Sequence, residues 1–523
     1  MSDCDVAVVG AGHNALVCAA YLARAGLRVH VLERRPIVGG AVVTEEHVPG
    51  FKFDLGGSAH ILINHTPIVE ELELERHGLE YIDLDPLFFA PFPDGSHITI
   101  WRDLDRTCES IAAVSERDAH AYRAFVRKWE PVAETFIDAF LHPPTVRRVA
   151  KSLVADSWRR SDSFLETTRN AFVGYDSVVR RSFTDPRVQA VVGWMAAQSG
   201  PPPTERLSGP LAIWHPLYHR SGMKRPRGGS GMLTQALARV IEAYGGTVTT
   251  DAAVRRILVE RGRAAGVECD DGTIVTSRHV VSGAHVRTTL DLLGDHAPAR
   301  FARGVKRRRI GNGFGMVVRF AMDELPDYTA LPTPDATTGG DHHLALQFVC
   351  PDMDYLNAAY DDFREGRPSA DPALIAMTFS KADPTLAPPG KHTLFLWGQY
   401  YPYELANGES WDDIGDREAD RMLDTLAAYA PNVRDAELGR LVETPLYLER
   451  ELGLLRGNVM HLEMSSDQMF FLRPALGAHR YRAPVPGLYL TGASTHPGGG
   501  IMGAAGRNAS RVMLADLGLD ARQ

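Results

Sequence analysis

Val6-Ala7-Val8-Val9 is a short uninterrupted apolar run, the pattern of a strand buried on both faces. Asn14 to Ala25 is rich in Ala and Leu and stops at Gly26, which predicts a helix and its end. Leu27 to Leu32 predicts a second strand, so the chain opens with a β-α-β unit. From about Thr66 to Gln198 the pattern is mostly helical, with acidic and apolar residues mixed at helical spacing in Ile68 to His77 and Leu104 to Lys128. Pro201-Pro202-Pro203 breaks the chain, and Pro226 to Gly231 forms a Gly-rich turn. A helix at Met232 to Ala243 follows, then strands around Val248 to Thr250, Ala253 to Glu260, Ala264 to Cys269 and His279 to Ser282. Runs at Phe314 to Phe320, Leu344 to Val349, Leu374 to Phe379 and Thr393 to Gln399 predict a second sheet, and Trp411 to Ala430 a helix. Leu488 to Leu517 reads as strand, glycine-rich loop and helix.

A chain of 523 residues exceeds what one hydrophobic core organises, so two or more domains are expected. The net charge of -9, with Lys and Arg scattered, implies no affinity for nucleic acid. Cys4, Cys18, Cys108, Cys269 and Cys350 are isolated, with no C-x-x-C pair. That favours a reducing, cytoplasmic setting over a disulfide scaffold. No secretory signal and no apolar run of about 18 residues is visible. Val146 to Arg160 carries Arg147, Arg148, Lys151, Arg159 and Arg160, with Val146, Val149, Leu153 and Trp158 sharing roughly one face. This pattern allows a peripheral membrane contact, or a helix packed on its own domain. His342-His343 are adjacent and cannot share a strand face, so no metal site is expected. Oligomeric state is not read from the sequence.

Three motifs carry candidate chemistry. Gly10-Ala11-Gly12-His13-Asn14-Ala15 fits G-x-G-x-x-G/A between strand and helix, and Glu33 closes the next strand. Gly10 permits the tight turn, Gly12 lets a pyrophosphate approach, Ala15 allows close helix–strand packing, and Glu33 can accept from ribose hydroxyls. This unit alone does not separate NAD from FAD. Glu33-Arg34 is followed by Gly39-Gly40 and Thr44, and then by Phe53-Asp54-Leu55-Gly56-Gly57-Ser58. The spacing resembles the E-x(5)-G-G-x-x-x-T element of FAD-dependent amine oxidases and phytoene desaturases, although the basic residue usual after the paired glycines is Ala41 here. In that superfamily a strand placed like Ala253 to Ile257 contacts adenine, which marks Val254. The last motif runs from Gly487 to Gly503 and includes Gly492, Ala493, Gly500, Ile501 and Met502. Its helix N-terminus suits the electron-rich pyrimidine end of a flavin.

This C-terminal motif looks like that of bacterial phytoene desaturases. With Gly457-Asn458, His461, Gln468, Phe470 to Pro474 and Gly506-Arg507-Asn508, the chain resembles the phytoene-desaturase-like branch called pyridine nucleotide-disulfide oxidoreductase domain-containing protein 2 over nearly its whole length. The resemblance implies an α/β fold: a Rossmann-type FAD-binding domain built from three segments, 1–65, 222–305 and 480–523. An α+β substrate domain is inserted as 66–221 and 306–479. It implies FAD as cofactor and hydride removal from an apolar or amphipathic small molecule by a desaturase, dehydrogenase or oxidase. Oxygen or a quinone-like acceptor would reoxidise the flavin. Oxidation of a C–N bond, and a flavin-dependent isomerase or non-catalytic partner-binding flavoprotein, stay open beside it. His461, His60 and Gln468 are the catalytic candidates, and Phe471, Trp397 and Tyr401 candidate pocket residues.

Overall fold

Val6, Ala7 and Val8 have no solvent exposure, as a strand covered on both faces requires. In the computed structural model, which describes residues 2–145, 169–170, 172–333 and 335–519, they belong to β1 (Cys4–Val9). The strand β1 lies between β2 (Val29–Leu32) and the strand Ile274–Ser282, parallel to both. Leu488–Leu490 and Thr247–Thr249 extend this parallel sheet at its two sides. Ile274–Ser282 is long enough that its first half also pairs, antiparallel, with Arg263–Cys269, which pairs with Val254–Glu260.

Helix α1 (His13–Arg24) covers one face of the sheet and packs against the helices Met232–Ala243 and Ala504–Asp516. The last contact is unusually close. A Cβ added to Gly506 would lie 2.1 Å from the Asn14 carbonyl oxygen and 2.9 Å from Val17 Cβ. Gly506→Val is therefore expected to cost roughly 3 kcal/mol or more through overpacking. Denaturant unfolding of the flavin-loaded protein checks this; an unchanged midpoint would show that the two helices can part without loss.

The second sheet has seven strands, in the order Glu437–Glu443, Gly313–Met322, His392–Pro402, Ala373–Met377, Leu346–Val349, Phe88–Pro91 and His97–Ile100. All eleven residues of His392–Pro402 are buried, because helices and loops cover both faces. Two of its strands, Phe88–Pro91 and His97–Ile100, come from the region whose pattern reads as mostly helical, as does Tyr81–Leu84, which pairs with Met223–Pro226. These four-residue runs are too short to establish a period, and pairing partners far away in sequence decide them. Phe88–Pro91 pairs with Leu346–Val349 in parallel, while the other strand pairs of this sheet among the described residues are antiparallel.

A hairpin of β3 (Val42–Val48) and β4 (Phe51–Gly56) forms a separate two-stranded sheet that packs on the second sheet. Its Asp54 takes an ion pair from Arg225 at 3.1 Å and hydrogen bonds from the Thr44 hydroxyl and the Ser230 amide, each at 2.7 Å. Arg319, on the second sheet, pairs with Glu443 at 3.3 Å and donates to Ser58 Oγ at 3.2 Å. Both pairs are buried, and breaking such a pair by removing one partner costs about 3–5 kcal/mol. They fix the hairpin's end against the Met223–Pro226 strand and the second sheet. The basic stretch 146–160 lies outside the described residues. No helix among the described residues is long and apolar enough to cross a membrane.

Candidate functional site

The register of the parallel sheet brings four strand ends out at one level. Val9 pairs with Leu32 on one side and Ser282 on the other, and Ser282 pairs with Leu490. The residues that follow, Gly10, Glu33, Gly283 and Thr491, therefore leave the carboxyl edge together, where open α/β sheets bind ligands.

Glu33 organises this edge. Its Oε2 accepts from the Ala11 amide at 2.7 Å and its Oε1 from the Arg35 amide at 3.0 Å. The Ala252 amide donates to the Glu33 carbonyl at 2.8 Å, which brings the stretch leading to Val254 alongside. The Gly39 amide donates to the Ala11 carbonyl at 2.9 Å, and Gly40 closes on Gly12. Gly39 has a φ of 134°, and a Cβ there would lie 2.3 Å from the Val42 carbonyl oxygen, so only glycine fits. Around Gly12 the situation is reversed: a Cβ would meet no protein atom within 4 Å. The opening of the turn, at the N-terminus of α1, is a cradle with free amides, which suits a pyrophosphate. The neighbouring sheet is tight, since a Cβ on Gly283 would lie 2.5 Å from that of Ala15. Arg34 is exposed and donates to the Glu451 carbonyl at 3.1 Å, so its guanidinium turns outward from the cradle.

The C-terminal loop closes over the same edge. A Cβ on Gly492 would approach the Gly283 carbonyl oxygen to 2.8 Å, which places Gly492 and Ala493 beside the end of the central strands. The His13 ring bonds the Gly500 carbonyl on one side and Asn14 Nδ2 at 2.9 Å on the other. Burial lowers the His13 pKa to about 4, so the ring is neutral at physiological pH. A Cβ on Gly57 would come within 2.5 Å of Ile501 Cδ1, so the Gly57-Ser58 and Gly500-Ile501-Met502 segments face each other.

The three catalytic candidates are placed very differently. His60 is fully buried, with its ring nitrogens bonded to the Tyr81 hydroxyl at 2.9 Å and to Ser230 Oγ at 2.7 Å. Burial, then the nearby Arg225, lower its pKa to about 3. It is a neutral strut with no free nitrogen. Gln468 is similarly committed: its Oε1 accepts from the Arg309 amide at 2.7 Å and its Nε2 donates to the Arg309 carbonyl at 3.1 Å. His461 has a left-handed backbone, with φ 63°, and its Nδ1 bonds Ser494 Oγ at 3.1 Å. Its ring lies 5.0 Å from that of His285, whose Nε2 bonds the His461 carbonyl. Burial and the neighbouring His285 hold His461 well below the usual histidine pKa, as a neutral imidazole beside the C-terminal loop.

A cavity of about 290 Å³ opens next to this region. Phe314, Tyr360, Phe363 and Tyr400 form an aromatic wall, Met460 and Met464 a thioether wall, and Glu205, Arg309 and Glu463 a polar rim. The two methionines back directly onto the C-terminal loop. Their sulfurs lie 2.5 and 2.6 Å from where Cβ atoms on Gly499 and Gly498 would be. Tyr400 lines the cavity, whereas Tyr401 is packed in the core on the far side of the sheet. Neighbouring strand residues point to opposite faces, and the sequence alone does not say which face is which. Trp397, too, is buried, with its indole donating to Gln399 Oε1 at 3.1 Å, and neither it nor Phe471 lines the cavity. The cavity's own residues are dispersed over more than two hundred positions, and no local motif marks them. A larger open groove of about 1370 Å³, between Glu134, Arg220 and Lys224, is lined by none of the glycine-turn residues. All five cysteines are free and buried, and among the described residues no group of three His, Cys, Asp or Glu side chains could hold a metal ion.

Comparisons with known proteins agree with this architecture. The family model described as flavin containing amine oxidoreductase matches residues 16–323. The mouse protein named pyridine nucleotide-disulfide oxidoreductase domain-containing protein 2 is 33% identical, over 98% of this chain and 94% of its own. One component of the limonene dehydrogenase of Castellaniella defragrans is 28% identical, over 99% and 96%. A phytoene desaturase (lycopene-forming) of Pantoea ananas is 26% identical, over 98% and 99%. Among solved structures, an oxidoreductase from Methanosarcina mazei matches 98% of this chain and 100% of its own with a TM-score of 0.63 at 19% identity, which shows a shared fold. With the open cradle at Gly12 and the Glu33 carboxylate at the same sheet edge, the chain belongs to the flavin containing amine oxidoreductase family and is an FAD-dependent oxidoreductase of its phytoene-desaturase-like kind.

Proposed function

We propose that this protein takes a hydride from an apolar or amphipathic small molecule, as a dehydrogenase or desaturase, with oxygen or a quinone-like acceptor reoxidising the flavin. The observation that carries this reading is the aromatic and thioether cavity whose Met460 and Met464 back onto the Gly498-Gly499 turn. A substrate seated there would bury apolar surface against Phe314, Tyr360, Phe363 and Tyr400 and lose water on entry. FAD supplies the hydride acceptor. The chain's own groups orient the substrate, exclude water and hold the cofactor by Glu33, the Gly10-to-Asn14 amides and the C-terminal loop. His461, as a neutral imidazole, offers a hydrogen bond rather than a charge. The relatives named for limonene dehydrogenase and phytoene desaturase support an apolar substrate.

Anaerobic titration of the purified yellow protein is the test. Flavin bleaching by terpene-like or long-chain apolar compounds, without ammonia release, is the expected result. Bleaching only by amines, with ammonia and peroxide formed in air, would replace this reading by C–N oxidation. Tight FAD with no bleaching by any candidate would favour a non-redox or partner-binding flavoprotein.

A further inference from the structure

Arg473 is fully buried and differs from the other two fully buried arginines among the described residues. Arg225 and Arg319 each face a carboxylate, on Asp54 and Glu443. Arg473 has only carbonyl oxygens. It donates from Nε and Nη2 to Ala493, at 3.2 and 2.8 Å, and from Nη1 to Glu463 at 3.1 Å. Further Nη2 contacts reach the Met460 carbonyl at 2.7 Å and that of Leu462 at 3.3 Å. Among the described residues no carboxylate lies within ion-pair range. The rings of His285, His461 and His496 stand close enough to feel its charge, and burial keeps all three neutral. Its Cζ lies 3.7 Å from where a Cβ on Gly498 would be, so it sits directly behind the loop that closes the cofactor edge.

Carbonyl dipoles offset part of the cost of burying a guanidinium, but a buried charge without a counter-charge remains destabilising. Such a charge is stabilised when a negative charge arrives across a thin layer of low dielectric. Hydride transfer provides one. The C–H bond would break with both its electrons and the hydrogen leaving as hydride to bound FAD, which would gain one negative charge, while the substrate, oxidised by two electrons, would release its second proton to solvent.

We propose that Arg473 is an electrostatic positioning residue: a fixed positive charge that acts through the Ala493 and Gly498 backbone to stabilise the negative charge of the reduced flavin. The inference rests on bound FAD and is independent of the substrate. The burial that lowers its pKa to about 9 still leaves the guanidinium charged at neutral pH.

The test uses the FAD-loaded full chain. In the wild type, photoreduction from pH 8 down to pH 5.5 is expected to give the anionic reduced flavin throughout, together with a stable sulfite adduct. Arg473→Met is expected to bind sulfite at least tenfold more weakly. Its two-electron midpoint potential is expected to fall by about 30 mV for each tenfold of lost preference for the reduced form. Arg473→Lys restores a charge only where the buried ammonium stays protonated, so its sulfite affinity is expected to approach wild type at the acid end of the range and to fall towards that of Arg473→Met at pH 8. Unchanged sulfite affinity and potential in a folded, yellow Arg473→Met protein would reduce the residue to a loop brace and overturn the proposal. Should Arg473→Met fail to fold, the wild-type spectrum decides alone: a reduced flavin that is neutral at pH 7 overturns it. A colourless wild-type protein would instead overturn the FAD assignment.

Discussion

Gly12→Val is expected to give a folded protein that no longer retains FAD. Gly12 has φ -66° and ψ 156°, a conformation open to any residue, and a Cβ there meets no protein atom within 4 Å. The valine methyls would therefore project into the cradle rather than into the core. They would occupy the space through which the amides at the start of α1 reach a phosphate. Charge-assisted hydrogen bonds are worth about 1.5–3 kcal/mol each, so losing two weakens binding by roughly a hundredfold or more. The flavin-to-protein ratio after purification reads this directly. The unfolding midpoint of the variant, compared with flavin-stripped wild type, should agree within about 2–4 °C. A yellow Gly12→Val protein would mean that the pyrophosphate passes elsewhere. A variant that unfolds would mean that the turn tolerates no side chain at all, as Gly39 does not.

Acidification from pH 7 to pH 5 is expected to destabilise the protein by an amount comparable with its whole folding free energy. His60, His215, His285 and His496 are buried, and burial is the first cause that lowers their pKa values, to about 3 for His60 and His215 and about 4 for His285 and His496. In the unfolded chain the same rings take up protons near pH 6.5. The folded pKa lies below the unfolded one, so the stabilisation is complete above pH 6.5 and is lost as the pH falls towards 4. At pH 5 each ring accounts for about 2 kcal/mol, an order-of-magnitude figure, and the stability of a native protein is only about 5–15 kcal/mol. Thermal melts at fixed ionic strength should show the midpoint falling steeply below pH 6.5. A flat midpoint between pH 7 and pH 5 would show that these rings find water or protons in the native state. The window matters for function as well, because His285 and His496 brace the loops around Arg473 and His461.

The nucleotide-binding unit was legible because its information is contiguous. The run Val6 to Val9, the glycines at 10 and 12, and Glu33 at the end of the next strand specify a strand, a turn and a helix by local backbone geometry, and the structure brings these residues to one sheet edge. The C-terminal loop was legible for the same reason. The strands Phe88–Pro91 and His97–Ile100 were not, since four apolar or alternating residues fit helix and strand equally until a distant partner pairs with them. The roles of His60 and Gln468 were also decided in three dimensions. Nothing near His60 in the sequence announces that Tyr81 and Ser230 occupy its nitrogens, or that Arg309 and Glu463 take up the Gln468 amide. The glycine turn, α1 and Glu33 could be read from neighbouring residues alone, because the backbone that suits a phosphate is shaped locally. The cavity, the Arg319–Glu443 pair and the carboxylate-free setting of Arg473 came from folding, because side chains far apart in the chain meet only then, and burial sets their charge and their cost.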